Sequence, residues 1–476
     1  MSNQKTTNTQ SIESIYAEAQ DWHLNVGGET IHAKRVGGKF RKIKYLTGSV
    51  WLIFFFGAYL RWNEHQAVLF DIPNRQFHLF NITLMPQDFW MFALLMLFFA
   101  ILLAVVTAIA GRIFCGFFCF QTIWVDVFTW IETKLEGTPQ KRRKLDDAPW
   151  SIQKIRIKAI KHGLWLMISI FTGISFIVWF TDAYDFWGQL VHFQLNNTEW
   201  AVLALFTAGT YILAGFLREQ ACFWLCPYAR IQGVMIDDAT AVVSYDYHRG
   251  EPRGRVKKKK AADAPELGDC VECKQCIAVC PTGVDIRMGQ QEGCINCALC
   301  IDACDTVMEK IGRKTGLIRY ESLDQLEGRE NRALFKRPRV WIYSTIMSLA
   351  LAGIGYGLTT IESFDLKVLH SRQPLFVLES DGSIQNKYTL KILNKTNDDR
   401  LVKISLTGLE QYKIKGAEES FIAKHSDITP HIIFVRAPRS ALKIESTPIV
   451  FHIETITLEQ KPIMKAQRNT IFIGPN

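Results

Sequence analysis

Five stretches of the chain stay apolar over roughly the 20 helical residues that a bilayer core requires: 45–61, 89–110, 163–181, 200–217 and 340–358. The first is short and ends at Arg61-Trp62, but its aromatic content and its flanking Lys44 and Arg61 suit a span anchored at both interfaces. Beyond residue 360 the pattern changes. KYTLKILNK (387–395), RLVKISLTG (400–408), HIIFVRA (431–437) and PIVFHIETITL (448–458) alternate apolar with polar positions, and turn-rich segments such as SDGS and NKTNDD separate them. Short strands at this spacing predict a small all-β immunoglobulin-like sandwich.

Lys and Arg orient the spans, because short basic loops resist translocation. Segment 62–88 has one basic residue, Arg75, and 182–199 has none. Segment 111–162 carries Arg112, Lys134, the KRRK run (141–144), Lys154, Arg156, Lys158 and Lys161, and 218–339 is richer still. These two segments are expected to be cytoplasmic, with the N-terminus inside and residues from about 360 onward outside. The first 44 residues hold seven basic side chains and neither an apolar core nor a small-residue cleavage site, so they predict a cytoplasmic arm rather than a secretory signal peptide.

Composition agrees with a membrane chain. A hydrophobic content of 48% and a mean hydropathy of +0.05 argue against an ordinary soluble enzyme. The net charge of +9, with KRRK and KKKK (257–260), would fit nucleic acid if the runs did not lie between spans. There they serve topology and contact with anionic lipid headgroups, and no nucleic-acid partner is expected.

All twelve cysteines fall on the predicted cytoplasmic side or at that edge of the membrane, which favours reduced thiols over disulfides. Eight form two runs, Cys270-x2-Cys273-x2-Cys276-x3-Cys280-Pro281 and Cys294-x2-Cys297-x2-Cys300-x3-Cys304. In this bacterial-ferredoxin spacing three close thiolates hold one cluster and the fourth reaches the other. The pattern assigns Cys270, Cys273, Cys276 and Cys304 to one 4Fe-4S cluster, and Cys294, Cys297, Cys300 and Cys280 to a second. Zinc knuckles lack the doubled three-plus-one spacing. Asp305 stands where a proline usually follows the last cysteine, which changes the local turn without removing a ligand.

Cys115, Cys119, Cys222 and Cys226 remain. GRIFCGFFCFQTIW (111–124) follows the second span and LREQACFWLCPYARIQ (217–232) the fourth; each has a basic residue, a C-x3-C and a nearby glutamine, so the two halves read as an internal two-helix repeat. On a continuing helix the two cysteines of each motif share one face, and Pro227 is expected to end or bend the second such helix. Soft thiols in pairs suit Cu(I), dithiol–disulfide cycling, or a further cluster or metal ion; buried cysteine also packs as a small hydrophobe. These readings stay open on spacing alone. His65, His78, His162 and His192 read as interfacial structure and Met91 and Met96 as helix packing. The sequence has no Walker A, dinucleotide-binding or serine-hydrolase signature.

GRIFCGFFCFQTIW, ACFWLCPYARIQGVMID (221–237), the doubled cysteine run within 270–313, a last span and an outer β-domain together resemble, in order and over nearly the whole chain, the cytochrome c oxidase accessory proteins of the CcoG/FixG/RdxA type. The resemblance implies a multi-domain protein of the bacterial inner membrane. Its expected parts are an N-terminal arm (1–44), a four-helix membrane region (45–235), a ferredoxin-like α+β domain with two clusters (236–339), a fifth span (340–358) and a periplasmic immunoglobulin-like domain (360–476). It also implies a Cu(II) reductase supplying Cu(I) for assembly of a cbb-type cytochrome c oxidase. The family's two C-x3-C-P motifs fall on Cys115/Cys119 and Cys222/Cys226, the candidate catalytic and copper-binding thiols, with Phe120 where the first motif has proline. Oxidase assembly factors, a copper chaperone or copper-exporting ATPase, and membrane lipids are the implied partners; a homodimer is compatible, and the electron donor is not indicated. A quinol-linked electron-transfer subunit and a non-catalytic assembly scaffold are the rival readings.

Overall fold

The structure is a computed structural model describing residues 32–475 apart from 63–64, 81, 256–266, 331–332, 361, 363, 397, 418–419, 426, 443–444 and 457–462. The KKKK run and most of the N-terminal arm lie outside the described residues. Two compact units emerge: one from residues 1–58, 93–179 and 183–352, the other from 59–92, 180–182 and 353–476.

Five helical stretches are long and apolar enough to cross a membrane: Phe89–Ala110, Ile113–Leu135, Ile152–Ile177, Asn197–Leu217 and Pro338–Thr360. Four match expectation. Residues 45–61 are not a single long helix; the chain from Lys39 to Tyr59 alternates α-helix with two 3-10 turns, Ser49–Trp51 and Gly57–Tyr59. Gly57 packs tightly, since a Cβ there would come within 2.8 Å of the Trp179 ring. Ile113–Leu135 takes the fifth place by length and composition, yet it bears Asp126 and Glu132, which are costly in lipid. Cations hold both: Arg35 and Arg41 contact Asp126 at 2.9 and 2.8 Å, and Arg142, Arg218 and Lys161 surround Glu132 at 3.0, 2.6 and 3.4 Å.

Contacts step along that helix in register with its neighbour: Trp124 donates to Thr172, Phe128 stacks on Trp165, Glu132 binds Lys161 and Glu136 binds Lys158. The segment Phe120–Leu135 therefore runs antiparallel beside Ile152–Ile177. Gln121 donates to the carbonyls of Leu213 and Arg218, and Glu132 also binds Arg218, which ties the same segment to the end of the helical stretch Asn197–Leu217.

In the same unit, strands Val242–Tyr245 and Ile318–Glu321 pair antiparallel, with Val242 opposite Glu321 and Tyr245 opposite Ile318. They pack with the helices Gln275–Ala278 and Leu299–Lys310 around Val243, Tyr245, Ile277, Ile301, Met308 and Leu317. This is the small α+β module expected around the eight ferredoxin-type cysteines. Phe117, from the first C-x3-C segment, is part of its core.

The other unit holds the β-sandwich. One sheet runs Lys413–Lys415, Asp427–Ala437, Ile384–Asn394, Phe364–His370, with Val377–Leu378 also pairing to the 384–394 strand; the second runs Phe421–Ala423, Arg400–Thr407, Ser446–Ile456, Lys465–Ile473. The pairings are antiparallel, with Ile384 opposite Ala437 and Asn394 opposite Asp427. Alternate residues Ile384, Tyr388, Leu390, Ile433, Val435, Ile449, Phe451 and Ile453 fill the core, and the buried Tyr388 hydroxyl donates to the Ile471 carbonyl. Residues 61–84, expected to be a loop, instead form a two-stranded ladder and a three-stranded meander of Val68–Asp71, Gln76–Leu79 and Ile82–Leu84. Lys395 of the sandwich, almost fully buried, reaches Asp88 at 3.0 Å just beyond that meander.

Candidate iron-sulfur and thiol site

Each C-x2-C-x2-C run must turn its sulfurs inward within a few residues, and the backbone shows how. Glu272 and Lys274 in the first run have φ of 54° and 52°; Asn296 and Ala298, at matching positions in the second, have 52° and 57°. None is glycine, so each left-handed turn costs roughly 1–2 kcal/mol. Alternation of left- and right-handed residues points successive N–H groups into a concavity that suits anionic sulfur. Cys270, Cys273, Cys276 and Cys304 line one small cavity together with Arg287. Burial pushes the Cys294 thiol up to about 12, with Cys280 and Cys297 adding to it, and the Cys280 thiol up to about 11, with Cys297 adding again. The first four sulfurs therefore share one cavity, and Cys280 lies near Cys294 and Cys297. Buried cysteines gathered in this way suit 4Fe-4S clusters, whose iron would take the place of the thiol protons.

Leu299–Lys310 runs straight through Cys304 and Asp305, whereas Pro281 follows Cys280 outside any helix. The proline's absence therefore lets the helix continue, and Asp305 accepts a hydrogen bond from the Gly316 N–H at 2.8 Å. One turn earlier, Asp302 accepts from the backbone N–H groups of Phe40 and Arg41 at 3.2 and 3.0 Å, at the start of the Lys39–Gly48 helix. Contact there is so close that a Cβ on Gly38 would lie 2.2 Å from the Asp302 side chain.

The two C-x3-C motifs do not lie on continuing helices. Cys115 sits in the short helix Ile113–Phe117, and Cys119 is the N-cap of Phe120–Leu135. Cys222 lies in a π-helical turn, Ala221–Leu225, and Cys226 is the N-cap of Pro227–Met235. Pro227 therefore opens a helix at its first position instead of ending one, and Phe120 does the same in the other repeat. Cys119 and Cys226 thus occupy equivalent N-cap positions in the two repeats. Ahead of the second motif, Arg218 is held at φ 47° between two π-helical turns, a strained arrangement common at functional sites.

The glutamines cross between repeats. Gln121 of the first donates to the Leu213 and Arg218 carbonyls beside the second. Gln232 of the second, fully buried, accepts from the Cys115 thiol at 3.0 Å and donates to Thr107 at 3.1 Å. Burial pushes the Cys222 thiol up to about 12, with Cys119, Cys115, Glu219 and Cys226 adding to it, so the four thiols share one neighbourhood. The Glu219 carboxyl, which sequence reasoning overlooked, is pushed up to about 7 by burial and lines a cavity with Cys222. Spacing alone could have flagged it, three residues before Cys222.

Thiol neighbourhood and ferredoxin module are in direct contact. Cys115 belongs to a buried cluster with Ile295, Cys297 and Leu299, against which Cys300 packs. Gly116 allows this, because a Cβ there would meet the Ile295 carbonyl oxygen at 2.7 Å and the Cys297 Cα and N at 2.9 Å.

Elsewhere, His162 bonds Tyr211 at 2.9 Å, His78 bonds Thr83 at 3.1 Å, and Met91 packs beside Gly357. Among the described residues no three His, Cys, Asp or Glu side chains gather tightly enough for a single metal ion.

Comparison with known proteins agrees with this anatomy. Residues 217–323 match a family described as a 4Fe-4S dicluster domain, 92–138 one described as a 4Fe-4S binding domain, and 354–475 the immunoglobulin-like fold at the C-terminus of FixG. The nitrogen fixation protein FixG of Rhizobium meliloti is 37% identical over 453 residues, covering 86% of each chain. Protein RdxB of Cereibacter sphaeroides is 40% identical over 407 residues (82% of this chain, 84% of RdxB), and RdxA of the same organism 37% over 393 (79% and 82%). A crystal structure of a FixG-related protein from Vibrio parahaemolyticus aligns with 23% of this chain and 97% of its own at 18% identity and a TM-score of 0.20. With relatives this similar over most of its length, the chain belongs to the FixG/RdxA family of membrane iron-sulfur proteins.

Proposed function

We propose that the protein is a membrane-bound cupric reductase in which Cys115, Cys119, Cys222 and Cys226 take up copper and Cys270 to Cys304 hold two 4Fe-4S clusters. The carrying observation is the contact of Gly116 and Cys115 with the Cys297 backbone, which sets the edge thiols against a cluster-ligand loop. When bound, the clusters supply electrons one at a time. The chain's own residues do the rest. Gln232 orients the Cys115 thiol, Gln121 ties the first motif to the turn before the second, and Glu219 accepts the proton that copper displaces from Cys222. Thiolates favour Cu(I) over Cu(II), so the ligand set itself makes the reduction easier.

In this reading the iron-sulfur module faces the cytoplasm of a bacterial inner membrane, and the β-sandwich faces the periplasm. The Cu(I) produced goes to a chaperone or copper-exporting ATPase for assembly of a cbb-type cytochrome c oxidase. An anaerobic titration tests the chemistry: stoichiometric Cu(II) is added to the chemically reduced protein and to a variant lacking the four edge thiols. Cu(I) formed and retained only with those thiols supports the reductase; equal reduction by both removes them from the mechanism.

One observation favours a second reading. The 4Fe-4S binding family matched by residues 92–138 has only Cys115 and Cys119 to offer within that range, which would make the four thiols ligands of a third cluster. An iron count distinguishes the two readings: about eight per chain for two clusters, about twelve for three.

A further inference from the structure

We propose that copper reaches Cys222 as a small anionic chelate, not as the aquo cation, through a cationic cavity between the second C-x3-C motif and the loop ahead of Cys297. The proposal rests on the copper reading above and adds the form of the substrate. The cavity, of about 720 Å3, is lined by Arg112, Cys222, Trp224, Arg230, Gln291 and Cys294 among others, with Glu292 its one acid. Arg112 is buried, gives a hydrogen bond to the Glu292 carbonyl oxygen rather than to a carboxylate, and leaves its Nε without a partner. Arg230 is exposed at the cavity wall.

A second, smaller cavity also reaches Cys222. Its lining carries Lys34, Arg35, Arg41, Lys44 and Arg218 against Asp126 and Glu219. Cations therefore outnumber acids in both cavities that touch this thiol. A hydrated dication is repelled on approach, over a Debye length of about 8 Å at physiological salt. A negative complex is drawn in, and steering of this kind raises encounter rates by roughly 10 to 1,000-fold.

Size points the same way. A single water takes about 30 Å3, so the space far exceeds what an ion needs and falls in the range of small-molecule sites. The wall offers Trp224 and two glutamines, Gln290 and Gln291, to an organic ligand. Delivery is a ligand exchange: the bond from copper to a chelate donor breaks, a bond from copper to the Cys222 Sγ forms, and the thiol proton passes to Glu219, which lines the smaller cavity with Cys222. If the arginines served only to balance cluster charge, chelate charge would not matter.

The test uses full-length, cluster-loaded protein with reduced thiols and two tripodal Cu(II) complexes of similar size: negatively charged Cu(II)-nitrilotriacetate and positively charged Cu(II)-tris(2-aminoethyl)amine. Copper retained after rapid gel filtration is followed with time at low ionic strength, with rates corrected for each chelate's own affinity. We expect the anionic complex to deliver at least ~10-fold faster, an advantage that shrinks with added salt, persists in Arg230→Lys and reverses in Arg230→Glu. Because Arg230 is exposed, both variants keep the fold. Equal rates, or a faster cationic complex, overturn the proposal while leaving the reductase reading intact. Failure of both complexes to leave copper on the wild type overturns both readings.

Discussion

Replacing Gly116 with alanine perturbs the junction between the edge thiols and the ferredoxin module by one methyl group. An ideal Cβ would stand 2.7 Å from the Ile295 carbonyl oxygen and 2.9 Å from the Cys297 N and Cα, all backbone atoms that no rotamer change can move aside. Ordinary contact begins at 3.4 Å, so helix and loop must part by about 0.5–0.7 Å. Overpacking of this kind costs about 1–3 kcal/mol, set against about 1 kcal/mol gained from alanine's better helix propensity. The net loss is therefore about 0–2 kcal/mol, small enough for the chain to fold and keep its iron. Function should suffer more, since misplacement by about 1 Å can cost roughly 100-fold in rate. Iron content, thermal unfolding in detergent and the anaerobic Cu(II) titration would be compared with a Gly209→Ala control, where nothing lies within 4 Å of the added Cβ. Wild-type copper kinetics in Gly116→Ala would refute the claim that this contact couples the two sites.

Gly38→Ala should destabilise the protein by about 1–3 kcal/mol through its clash with Asp302, and combining it with Asp302→Ala should be markedly non-additive in a melting experiment, because one change removes the other's obstacle. Glu132→Gln leaves Arg142, Arg218 and Lys161 buried around a neutral amide, so a loss of about 3–5 kcal/mol is expected, seen as lower yield and melting temperature. His32, pushed down to about 4 by burial and then by Arg142, gives a pH effect of definite sign. Its unfolded value is near 6.5, so its contribution is complete above that pH and is lost as pH falls towards 4. After allowance for partial exposure this amounts to about 1–2 kcal/mol at pH 5. His32→Gln should flatten that part of the stability profile between pH 7 and 5, and an unchanged profile would show that His32 does not carry it.

Much of this architecture was legible because it is written locally. Alternation at 387–395 and 431–437 gave strands, and the spacing anticipated that Cys304 joins Cys270, Cys273 and Cys276, which line one cavity. Strands 364–370 and 465–473 escaped notice, as did the meander at 68–84, although Phe70, Phe77 and Leu79 around the Pro73-Asn74 turn hint at it. The reading failed where structure depends on distant partners. An unbroken helix through Cys115 and Cys119 is reasonable from sequence, but the break lets Cys119 cap a new helix, and only the docked module explains it. In sequence Ile113–Leu135 reads as part of a cytoplasmic segment because of the basic residues in 111–162, Arg112, Lys134 and the KRRK run among them, whereas its own acids Asp126 and Glu132 are neutralised by arginines and lysines scattered from Arg35 to Arg218. Gln232 and Glu219 carried no signal beyond proximity to a cysteine.

The four left-handed residues Glu272, Lys274, Asn296 and Ala298 make iron supply a checkpoint on maturation. Holding them costs on the order of 4–8 kcal/mol, comparable to the whole stability of a small domain; the Asn296 amide's bond to the Ala110 carbonyl and the Tyr320 hydroxyl's bond to the Asn296 carbonyl offset part of it, and iron–thiolate bonds would offset more. A chain made during iron starvation is expected to hold these turns less firmly, and with them the surface against which Gly116 rests. Whatever chemistry the edge thiols perform would then fall silent for want of a docking partner, before any question of electron flow arose.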